Sequence, residues 1–214
     1  MKKFSSIFLI VLGVMIILAT SNPLYLMYKE KKIQHSLNTT YTITQHDVTE
    51  NSLEINNNNI KVIDTPKDDF IHVEILLNGE KLPGSTDVAP AKDGNYTRGV
   101  WVNVLTIHKN EESNNKNDWV AIVQTMKDQA SWTICYIDNQ QKMTAKHVTN
   151  ENPSNDPLDI YLIKNSGAPM IGYYSDINYA SGNPLATVIP IAIAITGGIL
   201  LLIGLLTIPR RQKK

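Results

Sequence analysis

The apolar residues of this chain fall into three blocks with different periods. Phe4 to Tyr28 and Ile177 to Pro209 contain no Asp, Glu, Lys or Arg, and uncharged runs of that length fit helices that cross a bilayer. Leu185 to Ile208 is almost wholly apolar. At 1.5 Å rise per residue it makes a helix of about 36 Å, long enough to span with tilt. The first run is strongest from Phe4 to Thr20. The pattern therefore predicts transmembrane helices at 4–24 and 184–208, tails at 1–3 and 209–214, and one segment of domain size, 29–180, between them.

Within that middle segment the period changes to two. Phe70 to Leu77 alternates Ile71, Val73, Ile75 and Leu77 against Phe70, His72, Glu74 and Leu76, and ends at Asn78-Gly79, a strong hairpin signal that returns through Glu80 to Leu82. Ser131 to Ile137 turns at Asp138-Asn139 into Lys142 to Val148 and predicts a second hairpin. Gly99 to His108 is apolar on both faces and reads as a central strand. Tyr41 to Val48, Asn59 to Ile63, Leu158 to Lys164 and Met170 to Ser175 read as further strands, with Ser166-Gly167 joining the last two. In Trp119 to Met126 the apolar residues Trp119, Ile122, Val123 and Met126 have helical spacing behind an N-cap at Asn117 or Asp118, while the β-branched content favours a strand. The expected fold class is mainly β: an extracytoplasmic antiparallel β-sandwich or open barrel between two transmembrane α-helices. The alternative is α+β, with a helix near 118–129. Asn56 to Asn59, Lys109 to Asp118 and Thr149 to Pro157 are too polar to pack and read as loops.

Charge sets the orientation. The 214 residues carry 20 basic and 20 acidic groups, yet the neutral total hides a segregation. Lys2, Lys3, Arg210, Arg211, Lys213 and Lys214 lie outside the apolar runs, and every acidic residue lies between them. Basic groups favour the cytoplasmic side, so both termini are expected in the cytoplasm of a multi-pass plasma-membrane protein. Lys29, Lys31 and Lys32 after the first run oppose this and are only partly offset by Glu30; two crossings nevertheless place both ends in one compartment. Tyr25, Tyr28, Tyr173, Tyr174 and Tyr179 sit where aromatic rings favour the outer interface. The first run is read as a retained signal anchor; a cleaved signal peptide, with small residues at Ala19-Thr20-Ser21, is the alternative. The acidic middle gives nucleic acid no purchase, leaving as partners the lipid bilayer and a membrane or envelope protein.

Candidate chemistry is sparse. Cys135 is the sole cysteine, so no intrachain disulfide forms. A thiol enzyme would need a histidine and a cation beside it, but no arginine follows Cys135 until Arg210, and a small buried strand residue is the commoner role. His72 and Glu74 share a strand face with Asp68 and Asp69 just before, an oxygen and nitrogen set that a metal would accept only if it converged. His35, His46, His108 and His147 show no metal spacing, and no phosphate-binding or dinucleotide loop occurs. No cofactor, metal site or catalytic residue is expected. Asn38-Thr39-Thr40 and Asn95-Tyr96-Thr97 match the glycosylation acceptor pattern.

In the second span, Ala192 with Thr196 and Ala194 with Gly198 place small residues four apart, a spacing that lets helices approach closely. The first span, through Gly13, or another protein would supply the facing helix. The expected function is non-catalytic: a β-domain displayed for binding, scaffolding or accessory-subunit interaction. An envelope enzyme with an unrecognised site and an extracytoplasmic sensor acting through a partner membrane protein are the alternatives. The short tails leave a sensor no output domain of its own.

Overall fold

The computed structural model describes residues 2–48, 50–67, 69–84, 86–88, 98–110, 118–166, 178–179 and 184–208, the side chains of Lys2, Lys3 and Thr86 excepted. The expected strand at Met170–Ser175, Gly167, Tyr173, Tyr174, Asn95-Tyr96-Thr97, Asn117, Asp68 and the orienting basic groups Arg210, Arg211, Lys213 and Lys214 lie outside the described residues. So do the side chains of Lys2 and Lys3.

In chain order the elements are helix α1 (Lys2–Thr40), strands β1 (Tyr41–His46), β2 (Ser52–Ile55), β3 (Asn58–Pro66), β4 (Ile71–Leu77), β5 (Glu80–Lys81) and β6 (Thr86–Val88), the single turn α2 (Arg98–Trp101), strands β7 (Val102–Lys109), β8 (Trp119–Thr125), β9 (Ser131–Ile137) and β10 (Met143–Thr149), and helices α3 (Pro157–Asn165) and α4 (Pro184–Leu206). The protein is mostly β, with two antiparallel sheets and two apolar helices. It divides into two compact units, one of residues 1–32 and 176–214, the other of residues 33–175.

The β unit holds a five-stranded sheet, β1-β7-β8-β9-β10, and a second sheet, β2-β3-β4-β5, with β6 also paired to β4. Every pairing is antiparallel. Two turns in the second sheet depend on left-handed backbone. Asn56 and Asn57 (φ 50° and 61°) join β2 to β3, while Asn78 and Gly79 (φ 52° and 90°) join β4 to β5. Asparagine and glycine tolerate that conformation, and the right-handed twist of the strands demands it in a tight hairpin.

One apolar cluster takes residues from both sheets: Ile60, Val62, Val73 and Ile75 from the second, Val102, Val104, Val120, Ile122, Cys135 and Ile137 from the first. The opposite face of the first sheet is buried as well. Leu105, Ile107, Val123, Trp132 and Ile134 alternate with the cluster residues and are at most 1% exposed. Helix α3 is fastened over that face, where the Tyr136 hydroxyl and the Lys146 ammonium reach its Asp159, and its Ile160, Leu162 and Ile163 are buried.

Helix α3 corrects the strand expected at Leu158 to Lys164. Alternation of Leu158, Ile160 and Leu162 imitates a strand, but the ends decide. Asp156 is an N-cap whose side chain accepts from the Leu158 N–H, Pro157 opens the first turn where its missing N–H costs nothing, and Lys164 sits in the last turn. A smaller correction falls at Gly99 to Trp101, which belong to α2, so the central strand begins at Val102. Residues Trp119 to Thr125 are a strand and not a helix. Val120 and Ala121 are as deeply buried as Ile122 and Val123, and a strand covered on both faces carries no diagnostic period. Strands β2 and β6 were not foreseen.

The helical unit contains α1 from Lys2 to Lys32 and α4. Most of its buried helix positions recur every seventh residue: Ser6, Gly13, Thr20 and Met27 on α1, Pro190, Gly197 and Gly204 on α4, with buried Glu30 outside the repeat. A Cβ added to Gly13 would lie 2.7 Å from the Gly197 carbonyl oxygen and 2.8 Å from the Leu201 nitrogen, and one added to Gly204 would lie 2.9 Å from the Ile10 nitrogen. The backbones touch because these positions lack side chains. A seven-residue repeat keeps two helices in register along their length.

Candidate binding face

The central strands of the first sheet are buried on both faces, whereas the outward face of the second sheet is open among the described residues. Glu54, Asn59, Lys61, Thr65 and Lys81 are exposed there and His72, Glu74 and Asp87 half-buried. The register places them in rows: Glu54 opposite Asn59, Thr65 opposite His72, His72 opposite Asp87.

His72 is the centre of a charged row. Its Nδ1 lies 2.5 Å from Asp87 Oδ1 and its Nε2 3.4 Å from Glu74 Oε1, and Lys81 forms an ion pair with the same Glu74 oxygen. The Lys81 ammonium holds the Glu74 carboxyl below the usual carboxylate range, and the His72 hydrogen bond does the same for Asp87. Whatever these pairs contribute to stability is present above the ordinary carboxylate pKa and is lost as pH falls through the depressed values. Surface pairs of this sort contribute little. The row is satisfied internally, with each group answered by a hydrogen-bond or ion-pair partner within it.

At one end of the same face, the two left-handed turns enclose a concavity of about 540 Å³ lined by Glu54, Asn56, Asn57, Asn58, Asn59 and Asn78. The Asn59 N–H donates to Asn78 Oδ1 at 2.8 Å, Asn78 Nδ2 donates to Asn58 Oδ1 at 3.4 Å, and Asn58 Nδ2 donates to the Asn56 carbonyl at 3.2 Å.

Elsewhere the polar groups hold the fold together. Arg98 donates from Nη1 to the carbonyls of Val48 and Glu50, from Nη2 to Asn51 Oδ1, and forms an ion pair with Asp64. Asp159, 1% exposed, accepts from the Tyr136 hydroxyl at 2.5 Å, from Lys146 Nζ at 3.0 Å and from the Ser154 hydroxyl at 2.5 Å. Burial, reinforced by the Asp159 carboxylate, drives the Tyr136 phenol far above its ordinary value. Burial opposes the Lys146 ammonium, but its bonds to Asp156 and Asp159 outweigh that and leave its pKa raised.

Cys135 is buried within the shared cluster, and burial pushes its thiol from 9.0 up to about 11. It is protonated at neutral pH and makes a poor nucleophile. Its pKa, that of Tyr136 and that of Lys146 are all raised in the folded state. The stability tied to them is therefore complete below their unfolded values, roughly pH 8.5 to 10.4, and is lost as pH climbs through the folded ones. Thermal melts are expected to hold steady near pH 8 and fall steeply by pH 11, and Tyr136→Phe is expected to flatten that fall. Equal melting temperatures at pH 8 and pH 11 would refute the assignment.

Among the described residues no group of three or more His, Cys, Asp or Glu converges on a metal-sized site. His46 meets Thr106 at 2.7 Å, His108 meets Asp118 at 2.6 Å and His147 meets Thr133 at 3.4 Å, and burial lowers the His46 pKa.

Of the small residues singled out for helix packing, Gly13 lies in the α1–α4 contact. Ala192 and Thr196 are exposed, Ala194 is half-buried, and Gly198 has open space where a Cβ would be. The residues in contact are Gly197 and Gly204, one heptad apart. The four-residue spacing missed them because the seam follows the seven-residue repeat. Sequence reasoning also missed Asp87 as the partner of His72 and Asp159 as a buried acid. The Pro157 N1 signal was available for the second; nothing local pointed to the first.

The fold and its open face thus define a two-sheet antiparallel β unit attached to a pair of apolar helices. No family model, curated protein or solved structure matches the chain, so the role of this face has to come from its own residues.

Proposed function

We propose that this chain is a two-pass membrane protein whose two sheets stack as a β-sandwich outside the cytoplasm, displayed as a non-catalytic module for binding, scaffolding or accessory-subunit interaction. The carrying observation is the surface of the two helices. Both are long and apolar enough to cross a membrane, and only 17% and 11% of their most apolar windows are buried inside the protein. Phe4, Phe8, Met15, Leu18, Ile195, Leu202 and Leu206 face outward. Water would penalise such a belt, and hydrocarbon solvates it.

The orientation rests on charge. Lys2, Lys3, Arg210, Arg211, Lys213 and Lys214 favour the cytoplasm, and all acidic residues lie between them. A binding role is favoured over an enzyme by the chemistry of the open face, whose charged row is self-satisfied, and by the inert Cys135. The expected partners are the bilayer and a membrane or envelope protein.

A labelling experiment tests the placement. Glu80 is exposed in the β4–β5 hairpin, so Glu80→Cys in a Cys135→Ala background is expected to react with a membrane-impermeant maleimide in intact cells. Labelling that requires lysis would reverse the orientation, and recovery of the chain in the soluble fraction would remove the membrane altogether.

A further inference from the structure

We propose that the asparagine-lined concavity on the open face is a recognition site for a neutral, polyhydroxylated ligand, a glycan segment. The proposal rests on the binding-module reading and names the ligand class. A volume of about 540 Å³ falls inside the roughly 300–1,000 Å³ of small-ligand sites. Those sites are mostly apolar. This one is walled by five amides and one carboxylate, so an apolar ligand would gain little from entering it.

Structural demand explains only part of that composition. Asn56, Asn57 and Asn78 sit at positive φ, and Asn58 and Asn78 bind each other and the turn backbone. Glu54 and Asn59 are different. They oppose each other across the β2–β3 ladder, neither turn requires them, and their side chains make no hydrogen bond to the described residues. The amides of Asn56 and Asn57 are likewise uncommitted. Three amide heads and one carboxylate therefore line a floor that the other two asparagines lock, and Gln141 Nε2 donates to the Asn57 carbonyl at 3.4 Å.

Their chemistry selects the ligand. Each amide offers two donors and an oxygen with two lone pairs and carries no net charge, which matches vicinal hydroxyls that donate and accept in turn. Glu54 is the sole charge in the lining and repels anions. One carboxylate is too few for a hard divalent cation, which gathers six to eight oxygens and favours several carboxylates. The locked turns also reduce the ordering cost of binding.

The test is calorimetric titration of the full chain, held in a detergent without a sugar head group, with N-acetylchitotriose and with maltotriose as probes. Saturable binding of at least one trisaccharide is expected. Asn57→Gly keeps the left-handed turn and deletes only the amide, and Asn59→Ala alters an exposed strand position. Each is expected to weaken binding by about five-fold, the net worth of one hydrogen bond, with an unchanged melting temperature. Failure of both trisaccharides to bind, undiminished binding in both variants, or binding that appears only with calcium would overturn the site. Loss of the site with continued outside labelling of Glu80→Cys leaves the membrane-displayed module standing. Sugar binding without outside labelling leaves the site and removes that placement.

Discussion

Asp159→Ala is expected to lower the unfolding free energy of the β unit by about 3 kcal/mol. The carboxylate is buried and answers three donors, from Tyr136, Lys146 and Ser154. Removing one member of a buried charged set costs roughly 3–5 kcal/mol, because the partners keep their desolvation penalty and lose their compensation. The lower end applies because the Lys146 side chain remains 39% exposed and water recovers part of its loss. Chemical denaturation of the full chain measures the effect. Adding Lys146→Met to Asp159→Ala is expected to cost less than the two changes summed, since the stranded cation is gone. A loss below about 1 kcal/mol for Asp159→Ala would show that α3 is held by its apolar residues alone and that the acid is incidental.

The second large effect is expected in the helix pair. Leucine at Gly13 or Gly204 would drive its first side-chain carbon to within 3 Å of the opposite helix's backbone, which cannot rotate away as a side chain could. Overpacking of this kind costs roughly 1–3 kcal/mol and sometimes more. In a membrane it opposes the close backbone approach on which helix association depends. The Ser6 hydroxyl donates to the Thr207 carbonyl at 3.1 Å, so Ser6→Cys with Thr207→Cys, in a Cys135→Ala background, supplies a crosslink that reports the packed state. Oxidation is expected to close it in the parent chain, to fail after Gly13→Leu or Gly204→Leu, and to survive Gly198→Leu, whose position faces open space. Crosslinking indifferent to all three substitutions would mean that the two helices do not pack through this seam.

Where local chemistry and burial agreed, the fold was legible. The alternation in β4 and the Asn78-Gly79 turn named the first hairpin because one face of that strand is buried and the other is not. The β9–β10 hairpin was found through its Asp138-Asn139 turn, although β9 is buried on both faces. At β8, covered on both sides, the signals divided: the β-branched content favoured the strand that formed, while the large residues fell by chance at helical spacing. Legibility failed at α3, where three alternating apolar residues outweighed the cap and the proline in the reading although not in the folding. The helix seam was hidden for a different reason: glycines at positions 13, 197 and 204 mark a contact only once two distant segments are aligned, and four-residue pairs within one helix drew attention instead. The candidate site was least legible of all. Asparagines at 56, 57 and 78 announce turns, but only the hairpin register brings Glu54 and Asn59 to the same concave patch.

The contrast between the two sheets bears on how this protein is free to change over time. In the central strands of the first sheet, β7 to β9, most side chains support a layer above or below, so a substitution at Val104, Leu105 or Ile122 disturbs packing on whichever side it faces. Among the described residues nothing covers Glu54, Asn59, Lys61 and Thr65, which are exposed, so drift there leaves the core untouched. Under the proposed binding role, lineages can thus diversify what the exposed patch would recognise at almost no cost to foldability.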